Sequence, residues 1–196
     1  DDFLYILFGP IMPLVIGIDQ RALKRYLKQF KLSVPAEAVV VLAYPQWASL
    51  GAWIKPHFLT DELKPLAEYL QAKGQDFSFY PKATVADVEA IMRDKTIKEV
   101  YFFGHGDSHT FMRSNDSVIY YCDFNRERHA KEFVHQVHCG TKHGKRLADY
   151  VVSEENRAKC FFFPKLITGN QIISEFKKKK ADLADAGAPA AAGSGS

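Results

Sequence analysis

The chain has 196 residues, 47% hydrophobic and 25% charged, with a formal net charge of +3. That length suits one packed domain rather than two, and the composition excludes a mainly disordered chain. So small a charge gives no reason to expect a nucleic-acid partner.

The three cysteines are Cys122, Cys139 and Cys160. An odd number on a chain this long does not suggest a disulfide framework and fits a reducing compartment. The cytoplasm, or the cytoplasmic face of a membrane, is the expected location. Cys160, and with it Cys122, reads as an inert buried thiol.

Residues 1–35 form a first segment. Phe3 to Ile18 is uncharged and apolar, contains Pro10 and Pro13, and falls short of the roughly 20 residues of a full membrane span. Behind it Arg21, Lys24, Arg25, Lys28 and Lys31 alternate at helical spacing with Leu23, Tyr26, Leu27 and Phe30. An apolar stretch followed by a basic amphipathic helix reads as a membrane-surface anchor. The plainer reading is that both pieces pack on the domain.

Residues 36–180 alternate between strand and helix patterns. Ala38 to Tyr44 is a continuous apolar run, as in a strand covered on both faces. Thr60 is the expected cap of a helix with Leu63, Leu66, Ala67 and Leu70 on its inner face. Asp76 to Tyr80 alternates like a strand. Thr84, with Asp87 three residues on, opens a second helix with Val85, Val88, Ile91 and Met92 on one face. Ile97 to Gly104 is expected as the third strand, and residues 107–130 as irregular apart from a small hairpin near Ser117 to Phe124. Glu132 to Cys139 reads as the next long strand, followed by a helix at Lys145 to Val152 and a strand at Lys159 to Phe163. Thr168 caps a last helix with Ile172, Ile173 and Phe176 inward. The lysines at 177–180 read as a solvated helix end. Residues 181–196 read as a flexible tail.

This order predicts an α/β fold: an open, mostly parallel sheet with helices on both faces. Ligands of such sheets sit beyond the carboxyl ends of the strands. Two distinctive residues fall there, His105 in FFGHGD and Cys139 in VHQVHCGT. If their strands are neighbours, a thiol and an imidazole come within reach, which is the equipment for nucleophilic acyl transfer. The imidazole takes the thiol proton and later returns one to the leaving amine. Backbone amides of Gly106 and Cys139 are the expected donors to the oxyanion. Such a dyad needs no cofactor and implies a protein or peptide substrate.

These residues resemble the caspase-like cysteine peptidases, over roughly Glu37 to Lys180. The resemblance implies a caspase-like three-layer sandwich. It also implies His105 as general base and acid, Cys139 as nucleophile and the Gly106 amide at the oxyanion. The spacing of 34 residues between His105 and Cys139 is shorter than the roughly 50 of caspases and favours a compact bacterial or archaeal type. HQVHCGT lacks the glutamine-alanine-cysteine form of caspases, so aspartate specificity does not carry over. Val137 stands where metacaspases usually place an acidic residue, so basic specificity does not carry over either. Asp107, Val137 and Tyr44 are the candidate substrate contacts.

Two other readings compete. His105, His109, His135, His138, Cys139 and His143 offer the ligand types of a zinc site. On a strand, however, His135 and Cys139 share a face that His138 does not. His135 and His138 otherwise read as surface or packed polar residues, and His109, His129 and His143 as solvated loop or cap residues. The second competitor is a catalytically inactive caspase-like scaffold that binds a partner.

Overall fold

The computed structural model describes residues 38–43, 58–75, 77–81, 83–112 and 118–187. The anchor candidate at 1–35 and Tyr44 lie outside these residues. Among those described, no helix is long and apolar enough to cross a membrane.

The apolar runs AVVVLA and EVYFFGHG form β1 (Ala38–Ala43) and β3 (Glu99–Gly106), with β2 (Phe77–Pro81) and β6 (Phe133–Val137) completing a four-stranded unit. β1 pairs with β2 and β3, and β3 pairs with β6, all parallel, giving the order β2-β1-β3-β6. The far end of β3 also pairs antiparallel with β4 (Thr110–Met112), which pairs antiparallel with β5 (Val118–Tyr120). The whole sheet is therefore mixed, and the chain is α/β.

Residues of β3 alternate between two cores, as the period-2 geometry of a strand requires. Tyr101 and Phe103 pack with Val137 against Leu63, Leu66 and Leu70 of α1 (Phe58–Ala72) and Ile172 and Phe176 of α6 (Gly169–Gly187). Val100 and Phe102 pack with Val134 against Val88, Ile91 and Met92 of α2 (Val85–Arg93) and Leu147 and Val151 of α4 (Leu147–Val151). Helices thus cover both faces. Two short helices, α3 (Arg126–His129) and α5 (Glu154–Arg157), lie in the connections.

Several boundaries differ from expectation. Thr60 falls inside α1 and does not cap it. Val85 is 49% exposed, so the inner face of α2 is Val88, Ile91 and Met92 alone. β3 runs to Gly106 rather than stopping at Gly104, because Met112 and Phe111 of β4 supply pairs for His105 and Gly106. β6 ends at Val137. Lys159 to Phe163 is not a strand: Phe162 makes one isolated bridge to Gln136, and the amide of Phe161 is taken by the His135 ring. α6 continues to Gly187, well into the segment expected to be tail.

The cap of α2 does follow the sequence. Thr84 Oγ1 accepts from Asp87 N at 3.0 Å, and Thr84 N donates back to Asp87 Oδ2 at 2.7 Å. Thr84→Ala is expected to lower stability by about 1 kcal/mol in denaturant titration, the usual cost of losing such a cap.

Candidate active site

His105 and Cys139 arrive at the same rim from neighbouring strands. The parallel ladder of β3 and β6 runs from Glu99–Phe133 to Phe103–Val137. Two residues further along each strand stand His105 and Cys139. Gly104 has φ 149°, a conformation that favours glycine, at the point where β3 passes from the parallel ladder into the hairpin. Cys139 Sγ lies on the α1/α6 side, where it accepts from Ile167 N–H at 3.4 Å and sits 3.8 Å from the Ile167 carbonyl. The opposite side holds His138 and the α-carbon face of Gly106. Strand alternation therefore sets His105 on the same side as Cys139.

Both dyad candidates are half-buried. Burial lowers the pKa of His105 and keeps its ring neutral at pH 7, the state in which an imidazole accepts a proton. Gly106 is half-buried at the end of β3, opposite Phe111. Asp107 is exposed, and its Oδ1 accepts from His109 N–H at 2.7 Å and Thr110 N–H at 2.9 Å. Its carboxylate thus shapes the turn between β3 and β4. Val137 is 0% exposed and belongs to the core with Tyr101 and Phe103, so it offers a substrate no surface.

The loops carrying the two residues are tied together by groups that the sequence did not single out. Ser108 is buried. Its Oγ accepts from Thr141 N–H at 2.6 Å and donates to the Thr141 carbonyl at 3.0 Å. Gly140 N–H donates to the Lys165 carbonyl at 3.0 Å, which joins the cysteine loop to the segment holding Ile167. A serine in a histidine loop carries no sequence signal for this role.

His129, His135 and His138 are committed elsewhere, while His109 and His143 are exposed, as expected of loop residues. His138 is 1% exposed and His135 7%. His135 Nδ1 accepts from Phe161 N–H at 3.0 Å, so its proton lies on Nε2 and is donated to Glu99 Oε1 at 2.8 Å. Glu99 also accepts from Tyr101 and Gln75 and pairs with Lys73 at 3.4 Å. Burial alone would raise the Glu99 pKa, but the hydrogen bonds from His135, Tyr101 and Gln75 prevail and hold it at about 2. His129, expected to be solvated, is buried with its Nε2 on Glu89 at 3.1 Å. Cys160 is buried as expected, and burial raises its pKa. Cys122 is exposed. Among the described residues no group of three or more His, Cys, Asp or Glu side chains is placed to hold a metal ion. The His138 ring is held on the side of β6 away from Cys139, so these two residues do not converge on one ion.

Two buried neutral histidines make stability depend on pH. Burial lowers the pKa of His135 and brings that of His138 down to about 4, against 6.5 for a free imidazole. Below pH 6.5 the unfolded chain therefore binds protons that the folded chain refuses, and stability falls with pH. His138 alone accounts for roughly 2 kcal/mol between pH 7.5 and pH 5. Glu99, with its depressed pKa, adds a further loss from about pH 4.5 down to about 2. Urea midpoints at pH 7.5 and 5 measure this, and equal midpoints would mean that the folded protein accepts both charges.

The chain matches no protein-family model, and no curated protein matches it.

Proposed function

We propose that the protein is a cysteine endopeptidase that cleaves peptide bonds through a thioester on Cys139, with His105 as its acid and base. The supporting observation is that these residues stand two positions past the last β3–β6 pair, at the ends of two adjacent parallel strands. Ligands of open α/β sheets bind at such strand ends. A helix-covered sheet with this rim is compatible with a caspase-like sandwich, which we propose as the fold family.

In this reading the Cys139 sulfur attacks the scissile carbonyl carbon while His105 takes the thiol proton. The amides of Gly106 and Cys139 receive the oxyanion. Collapse of the tetrahedral adduct breaks the C–N bond, and the imidazolium protonates the departing amine. Water, deprotonated by His105, then hydrolyses the thioester. The N–H of Ile167 donates to the sulfur and holds it in place at the rim. The substrate is a protein or peptide. All three cysteines are free thiols, which supports work in a reducing compartment, the cytoplasm or the cytoplasmic face of a membrane.

A peptide-library cleavage profile tests the reading and reports side-chain preference in the same experiment. Cleavage that disappears in Cys139→Ala supports it. No cleavage by the unaltered chain, together with partner capture that survives Cys139→Ala and His105→Ala, supports the inactive scaffold.

A further inference from the structure

We infer that His138 is a positioning residue: its ring clamps the Cys139 carbonyl beneath Gly106 and so fixes the backbone whose amides receive the oxyanion. The inference rests on the peptidase reading and assigns a role to a residue that the dyad does not use.

His138 lies on the face of β6 opposite the reactive sulfur, between the rings of Phe111 and Tyr121 at centroid distances of 5.8 and 6.0 Å. Its Nδ1 is 2.7 Å from the Cys139 carbonyl oxygen, and its Nε2 is 2.6 Å from the Tyr121 hydroxyl. A carbonyl oxygen only accepts, so the proton of the neutral ring sits on Nδ1. Nε2 therefore accepts from the Tyr121 O–H. Tyr121 thus selects the one tautomer that can hold the carbonyl.

The same ring abuts Gly106. A β-carbon built on Gly106 would lie 2.9 Å from His138 Nδ1 and 3.0 Å from its Cε1. One imidazole thus touches the glycine that follows His105 and bonds the residue that carries the thiol. The far end of the Cys139–Gly140 peptide is also held, by Gly140 N–H on the Lys165 carbonyl at 3.0 Å. With carbonyl and N–H both fixed, that peptide plane cannot rotate. The ψ angle of Cys139 is then set, and with it the backbone on which the oxyanion amides are mounted. An apolar residue of similar size would fill the space but leave the inward carbonyl without its donor.

The full-length chain with Tyr121→Phe, His138→Leu or His138→Asn tests this. The readouts are kcat and KM on a peptide taken from the cleavage profile, the rate of Cys139 alkylation by iodoacetamide, and the melting temperature. Alkylation at carbon builds no oxyanion, so it reports the thiol without the amides. Tyr121→Phe and His138→Leu are expected to lower kcat about tenfold or more, with KM and alkylation within about twofold. His138→Asn retains an N–H donor close to Nδ1 and is expected to recover kcat to within about fivefold of the unaltered chain. Alkylation falling in step with kcat, or no recovery in His138→Asn, overturns the inference and leaves His138 a packing residue. If His138→Leu does not fold, Tyr121→Phe and His138→Asn decide the matter. A parent chain without Cys139-dependent turnover removes the peptidase reading and this role with it. Parent turnover with unchanged kcat in Tyr121→Phe and His138→Leu overturns the role of His138 alone.

Discussion

Cys139→Ala is expected to abolish the fast labelling by a thiol-directed acylating probe, leaving only background reaction at exposed Cys122, and to abolish all peptide cleavage, while His105→Ala slows both the fast labelling and the cleavage by about 10²–10⁴-fold. The two losses differ because the residues do different work. Without the sulfur no covalent adduct forms. Without the imidazole the thiol persists, but nothing takes its proton during attack, and the leaving amine has no proton donor. Neither substitution touches a core cluster, so melting temperatures should stay near that of the parent. Equal labelling of the parent chain and His105→Ala at pH 7 would sink the dyad.

Gly140→Ala is expected to cost several kcal/mol of stability and to remove activity with it. Gly140 is buried, and a β-carbon there would overlap the Phe163 carbonyl oxygen and lie 3.1 Å from its carbon. The obstacle is backbone, which cannot swing aside as a side chain does. To admit the methyl group, the cysteine loop must retreat from the Phe163–Lys165 segment and give up the Gly140–Lys165 hydrogen bond. Overpacking of this kind costs about 1–3 kcal/mol, and the lost hydrogen bond about 1 more. Gly74→Ala provides the comparison. Gly74 has φ +69° and nothing within 4 Å of its would-be β-carbon, so it carries only the conformational cost of about 1 kcal/mol. Urea midpoints of the two variants measure the difference, and similar losses in both would mean that the loop yields without effort.

The parts of the fold that follow local rules were legible in the sequence. The capping box of Thr84 and Asp87 and the inner face of α1 came directly from spacing. So did the two strands that lead to His105 and Cys139. Boundaries set by distant partners were not legible. β3 extends to Gly106 only because a hairpin returns to pair with it, and nothing in KEVYFFGHG announces that return. Lys159 to Phe163 looked like a strand by composition, but its Phe161 amide turns to a histidine side chain.

The site divides the same way. His105 and Cys139 were found because each stands beside glycine at the end of an apolar run. The polar residues that hold their loops carried no such mark. His138 and His135 read as surface or packed polar residues, and they are packed; their partners are not legible because sequence alone does not reveal a hydroxyl or carboxylate waiting elsewhere in the fold. Val137 is a candidate substrate contact by its place near the cysteine, but its burial shows that nearness along the chain is not access.

The contact between the sulfur and Ile167 bears on the order in which the protein is made. During translation His105 and Cys139 leave the ribosome before Ile167 and before the helix that seals their side of the sheet. A nascent chain therefore carries a thiol that lacks its amide neighbour, over an apolar face still open to water. That side of the sheet closes only when the segment from Ile167 through α6 has been made and packs against it.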